Sequence, residues 1–248
     1  MNSLLELENI FLEIPKCDAP ILNRINYTVY AGDFIVILGS NGSGKSSLLK
    51  LIDGRYSATA GQIVLDGKLL RNYSSKKSSR AIKTLTQNCH DALFISMTVL
   101  ENYLLVKQQY EPKLFSLQNK RERKFFQEYL AQFNVKLSDK MDQVVANLSG
   151  GEKQALALAL IMLYPPRILL LDEHTSALDP SSAENLMRLT DKMIKQQHMT
   201  CLLTTHDLAI AEQYGNRIVA LKNGRVHQQI EREEKIQANQ ALLLAACY

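Results

Sequence analysis

An apolar run, Phe34-Ile-Val-Ile-Leu38, leads directly into Gly39-Ser-Asn-Gly-Ser-Gly-Lys-Ser46. No other stretch restricts the fold so tightly. The pattern G-x-x-x-x-G-K-S, with a buried strand before it and a helix after it, is the context of a phosphate-binding loop. Gly39, Gly42 and Gly44 admit backbone turns that a side chain obstructs. Successive N–H groups then face inward as an anion nest, and a helix starting near Lys45 adds positive potential. Lys45 reaches toward the β- and γ-phosphates, and the Ser46 hydroxyl is a ligand for Mg²⁺. The expectation is an α/β nucleotide-binding domain with ATP-type phosphates and Mg²⁺ at this loop.

The chain has 248 residues, enough for one large α/β domain or one domain with an inserted subdomain. The formal charge of +4 is mild. Its basic groups, Lys76-Lys77 and Lys120-Arg-Glu-Arg-Lys124, read as solvated faces, and no nucleic-acid partner is expected. Cys17, Cys89, Cys201 and Cys247 are scattered with no metal-ligand spacing, which points to reduced thiols. The first residues lack the basic and apolar regions of a signal peptide. The longest apolar run, Ala155 to Tyr164, stops at Pro165-Pro166, short of a bilayer span. Any membrane role therefore requires a partner.

Periodicity divides the chain. Residues 4–14 alternate (Leu5, Leu7, then Ile10, Leu12, Ile14), and Ile25, Tyr27 and Val29 alternate again. Residues 61–67 and 82–86 read as further strands. From Thr98 to about Leu163 the pattern is mostly helical. Thr98 with Glu101 forms one capping box, residues 118–133 give a charged amphipathic helix, and Ser149 with Glu152 opens a third helix. Strand and helix then alternate through 168–171, 180–197, 200–204 and 217–221. Asn223-Gly224 predicts a type I′ hairpin. The tail from Glu231 reads as helical. A parallel α/β core, 1–87 and 165–230, is thus interrupted by a helical insert at 88–164 and followed by a tail at 231–248, all within one domain.

Chemistry gathers at strand ends. Ile168-Leu-Leu-Leu-Asp172-Glu173 is an apolar strand closing in two carboxylates, and C-terminal strand ends form the ligand crevice of a parallel sheet. Asp172 is the candidate Mg²⁺ ligand beside Ser46. Glu173 is the candidate base for an attacking water. His206 and Gln87 also follow strands, as candidate contacts to the γ-phosphate and to Mg²⁺ or water. In Leu148-Ser-Gly-Gly-Glu152 a helix cap explains Ser149 and Glu152 but not Gly150 and Gly151, which expose N–H groups to an anion. Because the chain carries one phosphate loop, this second surface serves a nucleotide on another subunit.

These residues together resemble the nucleotide-binding subunit of ABC transporters over essentially the whole chain. The likeness rests on Gly39–Ser46 (Walker A), Gln87 (Q-loop), Leu148–Glu152 (signature), Ile168–Glu173 (Walker B), Ser176–Asp179 (D-loop) and His206 (H-loop), in family order. It implies a P-loop NTPase fold with an ABC-type core, an N-terminal antiparallel β subdomain and an inserted α-helical subdomain. It implies ATP and Mg²⁺ held by Gly39, Ser40, Asn41, Gly42, Ser43, Gly44, Lys45, Ser46 and Ser47. Ser149, Gly150 and Gly151 of a second copy complete the site in a head-to-tail homodimer. Glu173, His206 and Gln87 are the implied catalytic residues, and Ser46, Gln87 and Asp172 the implied metal ligands. The helical insert would dock a transmembrane permease at the cytoplasmic face of the membrane, and dimer closure on ATP would drive alternating access there.

A narrower likeness comes from His174, Leu189-Thr-Asp-Lys192 and Tyr214-Gly-Asn-Arg217. It is to bacterial importer ATPases paired with tryptophan/tyrosine-type substrate-binding proteins, which suggests import of small solutes such as amino acids. Exporter or lipoprotein-release cassettes, and soluble relatives acting on nucleic acid or ribosomes, are the alternatives. Where the family usually stacks an aromatic on adenine, this chain has Ile14, with Phe11 nearby.

Overall fold

Near-continuous Ile, Leu and Val runs make the strands Phe34–Leu38, Ile168–Asp172 and Thr200–Thr205 buried on both faces, each leading into a helix. The computed structural model describes residues 3–14, 19–112, 120–231 and 235. In chain order its regular elements are strands β1 (Ser3–Leu12), β2 (Leu22–Tyr30) and β3 (Phe34–Leu38), then helix α1 (Lys45–Ile52). Strands β4 (Ala60–Leu65) and β5 (Lys68–Leu69), helix α2 (Ser75–Ala81) and strand β6 (Ile82–Thr86) follow. Helices α3 (Val99–Tyr110), α4 (Lys120–Ala131), α5 (Val135–Ser138) and α6 (Gly150–Leu163) come next. The chain continues through β7 (Ile168–Asp172), α7 (Pro180–Gln197), β8 (Thr200–Thr205), α8 (Leu208–Gln213), β9 (Arg217–Lys222) and β10 (Arg225–Ile230). The predicted turn at Pro15 to Pro20 and the helical tail beyond Glu231 fall largely outside the described residues.

The chain divides into two units. The first comprises residues 1–84, 166–173 and 194–248; the second comprises 85–165 and 174–193.

In the first unit, an antiparallel four-stranded sheet has the order β2-β1-β4-β5. A six-stranded sheet has the order β10-β9-β3-β8-β7-β6. Within it β3 runs parallel to both β8 and β9, and β7 parallel to β8, while the β9–β10 hairpin is antiparallel. The hairpin turns at Asn223 and Gly224, both at positive φ, as a type I′ turn requires. A single core joins the two sheets through α1: Leu5, Leu7, Ile10, Ile25, Ile35, Ile37, Leu49, Ile52, Leu170 and Leu221 are among its members. Each such side chain contributes about 1.5–3 kcal/mol on burial.

The alternation read along residues 4–14 slips by one place in the structure. Asn9 adopts a left-handed φ of 49°, and the pairing register shifts between Leu7 and Ile10. This bulge is why Leu7 and Ile10, three apart, both face the core. Gly61 of β4 packs against it, where an added Cβ would lie 2.3 Å from the Asn9 carbonyl oxygen. The strand ends at Leu12, so Ile14 lies outside it and stays exposed.

Buried polar residues fasten the edge of the large sheet. The Arg217 Nη1 donates to Asp33 Oδ2 at 2.6 Å and to the Thr28 carbonyl at 3.1 Å. Its Nε and Nη2 make a two-pronged contact with the Glu231 carboxylate, both at 2.8 Å. The guanidinium also lies over the rings of Tyr27 and Tyr30. Just beyond, Lys235 donates to the carbonyls of Tyr214 and Gly215.

In the second unit both predicted capping boxes are present, Thr98 with Glu101 on α3 and Ser149 with Glu152 on α6. Helix α6 is buried from Gln154 through Met162 on all sides, which fits its Ala-Leu composition. Tyr103 stacks on Phe126, with centroids 4.1 Å apart, joining α3 to α4.

Candidate nucleotide site

The phosphate loop closes on itself in the first unit. Gly44 is the N-cap of α1 at φ 102°, and no side chain caps the helix. The first N–H groups of α1 therefore point outward with positive potential and no acidic residue in the first turn. Gly44 has a second reason to be glycine: a Cβ there would meet Leu22 Cδ2 at 2.9 Å. At Gly39 a Cβ would sit 2.5 Å from the Leu221 carbonyl oxygen and 2.6 Å from Ser43 Oγ. Gly42 faces open space and is required only by its φ of 82°. The Ser43 hydroxyl is buried without a hydrogen-bond partner among the described residues. Lys45, 5% exposed, folds back and donates to the carbonyls of Gly39 at 2.8 Å and Ser40 at 3.1 Å.

Strand register brings the other first-unit candidates to the same sheet edge. Leu38 of β3 pairs with Thr205 of β8, and Asp172 of β7 pairs with Thr204. The Ser46 hydroxyl donates to Asp172 Oδ1 at 2.8 Å. Thr204 Oγ1 donates to the same oxygen at 2.7 Å. Glu173 leaves the strand at φ 45°, a left-handed backbone that is uncommon for a residue with a long side chain. Its N–H donates to the Thr204 carbonyl at 3.3 Å. Its Oε1 lies 3.5 Å from Lys45 Nζ and 3.3 Å from His206 Nδ1. His206 is half exposed, and the following Asp207 caps α8 by accepting from the Ala209 N–H. Lys45, Ser46, Asp172, Glu173 and His206 are thus one connected cluster, and Thr204 belongs to it although the sequence pattern did not single it out. Thr204 is one of three threonines on β8, so its hydroxyl carried no mark that set it apart from Thr200 and Thr205.

The remaining candidates lie in the second unit. Gln87 follows β6 with an exposed side chain, and its carbonyl accepts from Gln154 Nε2 at 2.8 Å. Ser149 Oγ accepts from the Glu152 N–H at 3.3 Å, and Glu152 Oε2 accepts from the Ser149 N–H at 3.0 Å. Lys140 holds the other Glu152 oxygen at 2.6 Å, and these contacts outweigh burial to keep this carboxyl below its ordinary range. The cap uses the Ser149 hydroxyl only as an acceptor, so its hydrogen remains available to an anion. A Cβ on Gly150 or Gly151 would touch Leu178 or Ser182 at 3.4 Å, a close but permitted contact. Asp179 accepts from the Ser182 N–H at the start of α7.

At the end of β1 the one aromatic among the described residues is Phe11, the penultimate residue of the strand. Ile14 is 36% exposed, and the ring of Phe11 is covered by the Arg24 guanidinium at 5.9 Å. His174 is 1% exposed, and neither ring nitrogen has a partner among the described residues. Burial lowers its pKa to about 4, so it is neutral at ordinary pH.

The cluster fits a magnesium–phosphate ligand. An uncapped helix start, an unpartnered Ser43 hydroxyl and an inward lysine provide for the anion. A hydroxyl and one carboxylate provide hard oxygen donors, as few as Mg²⁺ takes from a protein when phosphates supply others.

Comparison with known proteins agrees. The family model described as "ABC transporter" matches residues 22–176. The chain is 33% identical over 237 residues to a tyrosine transport ATP-binding protein of Clostridioides difficile, covering 94% of each. It is 34% identical over 212 residues to the methionine import ATP-binding protein MetN 1 of Staphylococcus aureus, covering 85% of this chain and 60% of that one. Among solved structures, the ATP-binding cassette MJ0796, a dimer in a post-hydrolysis state bound to ADP and Pi, superposes with a TM-score of 0.78 at 27% identity. It covers 92% of this chain and 98% of that one. The chain belongs to the ABC transporter family, as one of its ATP-hydrolysing subunits.

Proposed function

We propose that this chain powers an importer of small solutes, amino acids among them, from the cytoplasmic face of the membrane. The observation that carries the catalytic part is the cluster in which Glu173 lies between Lys45 and His206, beside Ser46 and Asp172. The importer part is supported by the likeness to proteins named for tyrosine transport and methionine import. No helix among the described residues is long and apolar enough to cross a membrane, so the pathway belongs to permease subunits. A substrate-binding protein delivers the solute to them.

The residues divide the work. The N–H groups from Gly39 to Ser47 and the Lys45 ammonium bind the phosphates. Lys45 exchanges its two backbone carbonyls for phosphate oxygens, gaining charge-assisted bonds in their place. Ser46, Asp172 and Gln87 are the residues that would hold Mg²⁺, which would supply charge neutralisation on the phosphates. Thr204 fixes the rotamer of Asp172. Glu173 accepts the proton of the attacking water, and His206 holds Glu173 in place and contacts the γ-phosphate. Ser149, Gly150 and Gly151 of a second copy close over the nucleotide in a head-to-tail dimer.

The test has two parts. Steady-state phosphate release should fall about a hundredfold or more in Glu173→Gln with nucleotide binding retained. Affinity capture of that variant from detergent-solubilised membranes with ATP should then recover a polytopic membrane protein together with a solute-binding protein. Unchanged phosphate release overturns the catalytic assignment. Recovery of ribosomes or nucleic acid without a membrane protein overturns the transporter reading.

A further inference from the structure

Gln154 has a place that the catalytic reading leaves unused. It sits in the second turn of α6, five residues after the cap Ser149, and is 3% exposed. Its Nε2 donates to two consecutive main-chain carbonyls, Thr86 at 3.0 Å and Gln87 at 2.8 Å. A carboxamide nitrogen has two hydrogens, and both are used on this one loop. The opposite flip would set Oε1 against two carbonyl oxygens, so the two acceptors fix the orientation. That orientation leaves Oε1 buried without a partner among the described residues. A buried acceptor left unpaired lowers stability, and an apolar side chain of the same length would avoid that loss. Methionine would spare that acceptor but would leave the Thr86 and Gln87 carbonyls without this donor, so what glutamine supplies here is the hold on the loop.

The surroundings of Gln154 are stiff. Helix α6 begins in a capping box whose Glu152 is also held by Lys140. Lys153 donates back to the Ala146 carbonyl at 2.9 Å. The stretch from Lys140 to Gln154 is thereby a braced block. Gln154 makes a side-chain contact from that block to the loop that carries Gln87. The side chain of Gln87 itself is exposed and not part of the link.

We propose that Gln154 is a positioning residue: it ties the backbone of Gln87 to the first turns of α6, so that the loop after β6 and the Ser149–Gly151 surface move as one piece. This rests on the roles proposed for Gln87 and for Ser149 to Gly151. It predicts that engaging a nucleotide at the start of α6 sets the position from which Gln87 reaches Mg²⁺ or water.

The experiment compares wild type, Gln154→Met and Glu173→Gln as full-length chains. Gln154→Met keeps length and apolar packing but has no donor. Expected for it are a drop in kcat of about tenfold, the size of losing a buried hydrogen-bonded link, and a several-fold rise in the Mg²⁺ concentration for half-maximal rate. Binding of a fluorescent ATP analogue without Mg²⁺ should stay within about twofold of wild type. Gln154→Glu, which sets a carboxylate against two carbonyls, should be worse than Gln154→Met. Wild-type kcat and wild-type Mg²⁺ dependence in Gln154→Met overturn the proposal. Hydrogen exchange on the wild-type protein provides a reading independent of how the variants fold. Added MgATP should protect the amides at 87–91 and 150–154 together, and protection of one group alone overturns the link. Absence of any Glu173-dependent hydrolysis would instead defeat the catalytic assignment, a different result.

Discussion

Polar side chains at the ends of β3, β7 and β8 hold one another in place, whereas the candidate residues after β6 and at the start of α6 are presented by their backbone. In the α/β unit, one oxygen of Asp172 takes hydroxyls from Ser46 and Thr204, and Glu173 is flanked by Lys45 and His206. In the helical unit, Gln87 and Ser149 are exposed, and the contacts that fix them are main-chain or capping bonds. The first arrangement is preorganised for developing charge. The second keeps donors exposed for something that arrives. This contrast is what the proposed head-to-tail dimer would use.

Substitutions at matched positions sharpen this contrast. The largest effect belongs to the mutually held cluster, with Glu173→Gln lowering phosphate release about a hundredfold or more while leaving the fold intact. Glycines come next. Gly39→Ala drives a methyl group into the Leu221 carbonyl and should cost about 2–3 kcal/mol in urea unfolding. Gly150→Ala meets only a 3.4 Å contact and gains helix propensity, so its unfolding should stay within about 1 kcal/mol of wild type while ATP-driven dimerisation falls. If both glycine variants behave alike in unfolding, the contrast fails.

His174 adds a pH dependence to the helical unit. Its folded pKa of about 4 lies below the unfolded value of 6.5. The unfolded chain therefore binds the proton first as pH falls. Stability is full above the unfolded pKa and is lost as pH descends toward the folded one. Between about pH 7 and pH 5 the loss from this residue should be about 2 kcal/mol. His174→Phe should flatten the unfolding profile over that window, and an unchanged slope would reject the assignment. Ser149→Ala removes the N-cap of α6 and should cost about 1 kcal/mol in thermal unfolding.

Much of this was legible in the chain because punctuation, not propensity, carries it. Glycines at fixed offsets, the boxes at Thr98 and Ser149, the Asn223-Gly224 turn and the carboxylates closing an apolar run each have one local physical meaning. What escaped lacked such marks. Helix α2 has no buried residue, so its serines and lysines leave no apolar period to read; only Ser74, capping at the Lys77 N–H, announces it. The bulge at Asn9 depends on Gly61 of a different strand and on the Asn26 side chain that accepts from the Asn9 N–H. Thr204 and Gln154 act through partners far away in sequence. A polar residue in an apolar run signals only that something waits for it, not what.

The two-pronged contact between Arg217 and Glu231 sets a limit on shortening the protein. Glu231 directly follows the last strand, and the guanidinium it grips is buried against Asp33 and two tyrosine rings. Trimming at Ile230 would leave two of the Arg217 donors facing nothing and would loosen the outer edge of the large sheet. Glu231, one residue past the last strand, is therefore part of what holds the sheet edge together.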